Sequence, residues 1–191
     1  MDGSAEQLLA ALRQFDESER VEAKRGAEIG ESILETVCAF ANEPGLGGGW
    51  LLLGVEKASD RPGDYQVAGI EDPDRLLNDL HTQCANVFNA PVRVQARAEE
   101  QEGGTVIVVD VPETEPAAKP VYFSRKGLPR GAWRRSPNGD YRCNQDDLEI
   151  LYQNRRRRSF DAEPVADATL DDIDTDALAE YRQERAAMSP A

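Results

Sequence analysis

Residues 32–56 read SILETVCAFANEPGLGGGWLLLGVE, and they contain the most informative pattern of apolar residues and glycines in the chain. Its first part has apolar side chains at helical spacing, which predicts an amphipathic helix with one buried face. Ser32 and Glu35 have the spacing of a capping box at the start of that helix, and Pro44 predicts its end. The consecutive apolar residues 50–55 are typical of a central strand that is covered on both faces. The stretch therefore predicts a helix, a sharp reversal and a central strand.

The glycine cluster at residues 45–49 does not fit a nucleotide-binding loop. A Walker loop lies between a strand and the helix that follows it, and it needs a GK[ST] sequence, whereas here the order is helix, glycines, strand. A dinucleotide fingerprint fails too, because no helix N-terminus follows the glycines to hold a pyrophosphate. We therefore predict a tight connection in which small residues let the backbone pass close to a neighbour.

The remaining sequence predicts an α+β fold. The other predicted helices are 5–15, 73–88 and one from residue 144 or 145 onward, and the other predicted strands are 20–24, 65–70, 92–96, 105–111, 120–123 and 131–135. A doubly wound nucleotide-binding fold would need strands and helices to alternate throughout, which the second half does not do. We expect a mixed, mostly antiparallel sheet with packed helices over residues 1–158. An acidic linker and a C-terminal helical appendage are predicted over 159–191.

Charge is distributed unevenly along the chain, whose net charge is −14 at pH 7. Residues 119–158 contain eleven Lys/Arg and four Asp/Glu, a net charge of +7, so the rest of the chain carries −21. From residue 159 onward, nine acidic and two basic residues give a net charge of −7. A local basic face supplies phosphate contacts even on an acidic protein. The arginine run 155–158 also fits a solvated helix end paired with neighbouring acids.

Cysteine and histidine usage excludes several kinds of site. Cys38, Cys84 and Cys143 are widely spaced and form no CxxC pair, which argues against a disulfide framework or a zinc site and favours a reducing compartment. His81 is the only histidine, so histidine-based metal sites and most catalytic triads are excluded. No apolar stretch approaches the roughly 18 to 20 residues of a membrane span, and the N-terminus lacks a secretory signal. We expect a cytoplasmic protein without a membrane partner.

Four sequence blocks occur in an order that resembles one known family. They are ESERVEAK at 17–24, the CAFAN-to-GVE block at 38–56, VAGIED at 67–72 and PVYFSRKGLPRGAWRR at 120–135. Together they resemble the AlbA-like Schlafen domain, which occurs in bacterial and archaeal regulator-like proteins and in animal Schlafen proteins. The resemblance covers residues 17–158. Departures are Ala23 where the family usually has phenylalanine, Glu56 where aspartate is common, and a longer glycine connection.

The resemblance implies a nucleic-acid-binding module, and we expect DNA as the partner and a transcriptional-regulator-like parent protein. Relatives often continue into a helix-turn-helix or ATPase-like segment, so a further C-terminal domain is a possible addition. The candidate binding residues are the basic side chains of the matched blocks and their surroundings: Lys24, Arg25, Arg125, Lys126, Arg130, Arg134, Arg135 and Arg142. Such cations give salt-dependent, largely sequence-independent affinity. Nearby aromatic residues such as Tyr122 and Trp133 fit either base stacking or core packing.

The resemblance also implies an alternative function, because animal Schlafen proteins include metal-dependent ribonucleases. By motif position, their three acidic residues correspond to Glu17, Glu22 and Glu56, which would hold Mg²⁺ or Mn²⁺ and activate a water for attack on a phosphodiester. A spacing of five puts Glu17 and Glu22 on opposite faces of a strand, so they converge only if the chain bends near Ser18. Exposed glutamates on an acidic protein fit the same pattern. A third hypothesis is self-association as a homodimer.

Overall fold

The structure is a computed structural model that describes residues 3–137 and 139–156, with side chains in the last helix as far as Gln153. Its helices are α1 (Ala5–Phe15), α2 (Glu31–Asn42), α3 (Pro73–Asn86) and α4 (Gln145–Arg156), with a 3-10 turn at Pro116–Ala118. Its strands are β1 (Val21–Lys24), β2 (Gly49–Leu53), β3 (Val55–Lys57), β4 (Tyr65–Val67), β5 (Gln95–Gln101), β6 (Gly104–Val111), β7 (Trp133–Ser136) and β8 (Gly139–Arg142).

The main sheet has four strands in the order β1–β2–β6–β5. β1 and β2 are parallel, whereas β2–β6 and β6–β5 are antiparallel. Two further antiparallel pairs, β3–β4 and β7–β8, form separate small sheets. The predicted α+β class with a mixed, mostly antiparallel sheet is confirmed.

The main sheet separates two apolar layers, because successive strand residues point to opposite faces. On one face Leu51 and Leu53 pack with residues of α2 and α3 such as Phe40 and Leu80. On the other face, Leu8, Leu9 and Leu12 of α1 pack with the sheet residues Leu52, Val106 and Val108. The prediction of a central strand covered on both faces is confirmed.

The reversal between α2 and β2 needs glycine for a steric reason. Gly48 has a φ of 85°, in the left-handed region that glycine adopts at little cost. A Cβ built on Gly48 would overlap the carbonyl oxygen of Val111, the residue paired with Gly49 at the end of β6. The glycines therefore allow the loop to cross the sheet edge closely, as predicted for a tight connection.

The backbone amides of this loop are bound by a carboxylate of the same chain. Glu113 accepts hydrogen bonds from the N–H groups of Gly45 at 3.0 Å and Gly47 at 2.7 Å. The buried Lys119 ammonium donates to the same carboxylate at 2.6 Å. Burial alone would raise the pKa of Glu113, but Lys119 and the two amides hold this pKa below its ordinary value of 4.5. The loop thus fixes an internal anion.

Several element boundaries differ from the prediction. Helix α2 begins at Glu31 after Gly30, which has no side-chain cap, so the capping box of Ser32 and Glu35 does not form. The apolar run 50–55 is split at Gly54, after which β3 pairs with β4 in another sheet. Residues 120–123 form a single bridge to Phe88 and no regular strand. Local periodicity does not report such tertiary turns, which explains these differences.

The predicted linker and C-terminal helix over 159–191 lie outside the described residues, as do Arg157 and Arg158 of the arginine run. Helix α4 begins at Gln145 and extends to Arg156, as the pattern from residue 144 or 145 predicts. Among the helices that are described, none combines the length and the apolar character needed to cross a bilayer.

Candidate nucleic-acid interface

Four of the predicted binding residues converge on one cavity of about 360 Å³, lined by Arg125, Lys126, Arg130 and Arg142. We call it the cation cavity. Three of the four residues lie in the irregular segment after Phe123, where consecutive turns close through hydrogen bonds from Lys126 N to Phe123 O at 3.0 Å and from Gly131 N to Gly127 O at 2.7 Å. Arg142 ends strand β8. The turns and the strand end together concentrate positive charge that is dispersed along the sequence.

Arg125 and Arg130 are two cations of the cavity that have neither an ion-pair partner nor a ring contact in the described structure. Both side chains are exposed, and neither forms an ion pair or hydrogen bond with any residue that the structure describes. The other two are held over aromatic rings: the Lys126 Nζ lies 4.8 Å from the centre of the Phe123 ring, and the Arg142 guanidinium lies 5.2 Å from the Trp133 ring. Cation–π contacts of this kind orient a charged group without neutralising it.

The aromatic residues near the cavity serve packing and orientation. Phe123 is buried and meets Phe88 edge to face, with 5.0 Å between the ring centres. Trp133 packs against the core, and the Tyr141 hydroxyl donates to Asp147 at 3.1 Å. Because these rings are engaged within the domain, the alternative of core packing fits them better than base stacking.

Lys126 has acidic neighbours from helix α2. Its Nζ donates to the carboxylate of Glu31 and lies 3.7 Å from an oxygen of Glu35. The hydrogen bond from Lys126 lowers the pKa of Glu31, whereas burial, followed by the hydrogen bond with Glu31, raises the pKa of Glu35. The charge of Arg142 lowers both pKa values, so both carboxylates lie within its electrostatic reach. The sequence contains this acidic i, i+4 pair, but nothing in it reveals the contact with Lys126.

Arg134, which the sequence predicts to bind nucleic acid, is mostly shielded from solvent and bound to carboxylates of the domain. Its guanidinium donates to both oxygens of Glu43 at 2.7 and 3.0 Å and to Asp147 at 3.0 Å. Only 12% of the side chain is exposed. Arg134 therefore ties β7 to the end of α2 and the start of α4.

Arg135 points to the other side of β7, as expected for adjacent strand residues. It donates to the carboxylates of Glu22 and Asp140 and to the Ser18 carbonyl oxygen at 2.7 Å, and only 1% of its side chain is exposed. Arg134 and Arg135 thus donate to groups of the domain itself, and their assignment to nucleic-acid binding stays a prediction from the resemblance.

Lys24 and Arg25 do not line the cation cavity. Lys24 pairs with Glu22 at 2.6 Å. Arg25 is 74% exposed and lies 3.5 Å from Glu56. Arg25 lines a different cavity of about 520 Å³, in which acidic Glu71 and Asp72 also take part. These two cations are thus balanced by nearby carboxylates.

The three carboxylates predicted for a nuclease are engaged with cations and amides. Glu17 bends back to accept a hydrogen bond from Ala23 N at 3.4 Å, and burial and then the charge of Glu22 raise its pKa. The expected bend exists at Ser18, whose hydroxyl accepts from Val21 N at 3.1 Å. Glu22 is bound by Lys24 and Arg135. Glu17 and Glu22 therefore approach one another, but Glu22 is already neutralised.

These residues do not fit a divalent metal as they stand. To bind a metal ion, Glu22 would have to break its ion pairs with Lys24 and Arg135. Glu56 accepts a hydrogen bond from the Gln66 side chain at 3.1 Å and lies 3.5 Å from Arg25. Over the described part of the chain, no group of three acidic, cysteine or histidine side chains is placed to hold a metal ion. The assignment of Glu17, Glu22 and Glu56 as metal ligands stays a prediction from the resemblance.

Comparisons with known proteins agree with the resemblance. Residues 17–144 match the family model described as Schlafen, AlbA_2. The chain is similar to the N-terminal domain of a RecG-related protein from Nitrosomonas europaea that is provisionally named an ATP-dependent DNA helicase, with 48% identity and a TM-score of 0.61. The match covers 74% of this chain and 94% of that domain.

A more distant match is to the fold of the DIP2311 protein from Corynebacterium diphtheriae, with 21% identity and a TM-score of 0.50. That match covers 97% of this chain but 35% of the other, so there the similar region is part of a longer protein. No curated protein sequence matches the chain. The family match, which extends over most of the described domain, shows that this chain belongs to the Schlafen AlbA_2 family.

Proposed function

We propose that this protein is a DNA-binding module that contacts the phosphate backbone through the cation cavity. The proposal rests on one observation above all: Arg125 and Arg130 are exposed, unpaired within the described residues, and line the same cavity as Lys126 and Arg142. A polyanion gains most from cations whose charge no neighbouring acid has neutralised.

The recognition is proposed to be largely independent of base sequence. Arginine and lysine side chains that meet phosphates determine position and affinity, whereas base-edge contacts are needed for sequence readout. The nearby rings of Phe123 and Trp133 are engaged by the chain's own cations and core, which leaves them poorly placed for stacking on bases. Affinity should therefore depend on salt more than on sequence.

DNA is proposed as the polymer because the chain is 48% identical to a domain of a RecG-related protein whose name refers to a DNA helicase. That name belongs to the relative, and it supports the choice of probe here. The transcriptional-regulator-like setting and a further C-terminal domain stay predictions from the family resemblance.

The test is the affinity of the full chain for a fluorescent duplex of about 20 base pairs, measured by anisotropy over a salt series. R125A/R130A should bind at least about tenfold more weakly at ~50 mM salt, because two phosphate contacts are lost. The slope of log affinity against log salt should become shallower by about 1.8, or 0.9 for each contact.

The matched control is R61A/R93A, which removes the same charge from two exposed arginines that do not line the cation cavity. It should bind within about threefold of wild type, because neither arginine lines the cavity and exposed charges beyond a Debye length, about 14 Å at ~50 mM salt, are largely screened. Absence of wild-type binding at ~50 mM salt, or equal losses in both double variants, would contradict the proposal.

The ribonuclease and self-association hypotheses stay predictions. The ribonuclease hypothesis requires that the protein cleave structured RNA in the presence of Mn²⁺. Because Lys24 and Arg135 hold Glu22, we expect the RNA to stay intact instead. Cleavage that disappears in E17Q/E22Q/E56Q would instead establish the nuclease.

A further inference from the structure

Two glutamates of α2 stand beside the cation cavity. Glu31 and Glu35 are four residues apart and share one helix face. The Lys126 ammonium, which lines the cavity, donates to Glu31 and lies 3.7 Å from Glu35. The Glu31 side chain is 60% exposed, so an incoming ligand can reach this ion pair. A phosphate that uses Lys126 must therefore meet a carboxylate already in place.

The electrostatics of the pair agree with this geometry. The pKa of Glu31 is lowered by the hydrogen bond from Lys126, so this group stays ionised. The charge of Arg142 lowers the pKa of both glutamates, against the burial that raises the pKa of Glu35. The pair thus faces positive charge from the segment after Phe123 and from β8.

The four cations of the cavity are consequently unequal. Arg125 and Arg130 have no ion-pair partner within the described chain, and Arg142 lies over a ring. Lys126 is paired with a carboxylate. Carboxylate and phosphate oxygens satisfy the same ammonium donors, so only one of them can fully occupy Lys126 at a time.

We infer that Glu31 and Glu35 act as an internal competitor for the phosphate that would otherwise bind Lys126. This inference rests on the proposed function and identifies residues that limit its affinity. By neutralising Lys126, the two glutamates keep the affinity for DNA below the value that four available cations would give. Removing both negative charges should release Lys126 for a phosphate.

The experiment compares the full-length wild type with E31Q/E35Q on the same duplex probe. Glutamine keeps the size of the side chain and removes its charge. We expect E31Q/E35Q to bind about tenfold more tightly at ~100 mM salt, the scale of one added charge-assisted contact. The salt slope should become steeper by about 0.9 if one further phosphate is engaged.

The control is E28Q/E149Q, which removes the same charge from two exposed glutamates without an ion pair in the described structure. Its affinity should change less than about threefold, because no cavity cation is released. Circular dichroism of each variant verifies that the fold is retained.

A double-mutant cycle with K126Q assigns the effect to Lys126. K126Q should weaken binding less than about threefold in the wild type and about tenfold in E31Q/E35Q. Tightening no greater than in the control, or tightening that survives K126Q, overturns the inference while the proposed function stands. If neither the wild type nor any variant binds the duplex, both the inference and the proposed function are wrong.

Discussion

At the residue scale, Arg134 and Arg135 show that equal charge does not mean equal role. They are neighbours in a basic segment of the chain, yet each is enclosed by carboxylates contributed by distant parts of the sequence. Arg125 and Arg130, a few residues earlier, are exposed and unpaired within the described residues. Removing a buried cation leaves its carboxylate partners as uncompensated buried charges, whereas removing an exposed, unpaired cation leaves no such charge.

R135A should therefore lower the free energy of unfolding by about 3 kcal/mol, the lower end for a broken buried ion pair, because Asp140 would lose its cation and the buried Glu22 would keep only Lys24. Urea denaturation measures this change. R125A should differ from wild type by less than about 0.5 kcal/mol.

The variant R135M/E22Q/D140N provides a rescue, because replacing a whole buried ionic group by neutral side chains is often nearly neutral for stability. It should recover most of the loss seen in R135A. If R135A unfolds at the same urea concentration as wild type, the structural role of Arg135 is wrong.

At the element scale, the connection from α2 to β2 contains the glycine cluster at residues 45–49. Its amides bind the Glu113 carboxylate, and its backbone passes close to the end of β6 at Gly48. Gly45 has a similar φ of 77°, but a Cβ built there would meet nothing within 4 Å. A substitution at Gly45 therefore tests backbone strain alone, whereas one at Gly48 tests backbone strain together with steric overlap.

G45A should cost about 1 to 2 kcal/mol of unfolding free energy, the cost of a left-handed conformation for a residue with a Cβ. G48A adds overlap with the Val111 carbonyl, so its cost should reach about 2 to 5 kcal/mol. Parallel thermal and urea melts measure the difference. Equal losses would mean that the close passage at Gly48 does not constrain the loop.

At the scale of the whole molecule, an acidic protein carries a small basic cavity, and most of the other cations whose side chains the structure describes form ion pairs within the chain. Net charge is −14, yet Arg125, Lys126, Arg130 and Arg142 face one cavity. Screening by salt acts strongly on exposed charges and weakly on buried pairs. Binding and stability should therefore respond differently to the same change in salt.

Raising salt from 50 to 200 mM should weaken duplex binding by about 40- to 150-fold, as three to four phosphate contacts at 0.9 per contact require. The unfolding free energy should change little over this range, because the ion pairs of Arg135 are buried and those of Arg134 are largely shielded from solvent. Anisotropy titrations and urea melts at matched salt measure the two quantities. Binding that is flat in salt would contradict a phosphate-directed interface.

The amino-acid sequence was enough to predict the helix, the reversal and the central strand around residues 32–56, the α+β class and the family. Those features follow from local periodicity, from glycine and proline positions, and from ordered blocks that a linear reading can detect. Of the eight candidate binding cations, the sequence identified all four that line the cation cavity, but it could not separate them from the other four.

Which of these cations are paired with carboxylates of the same chain became visible in the folded structure alone. Glu43 lies 91 residues from Arg134, and Glu22 lies 113 residues from Arg135, so these ion pairs exist only after the sheet and helices have assembled. Glu31 reaches Lys126 across 95 residues in the same way. The physical reason is that a charged side chain is available to a ligand only if it is exposed and has no oppositely charged group nearby. Both conditions are properties of the assembled fold.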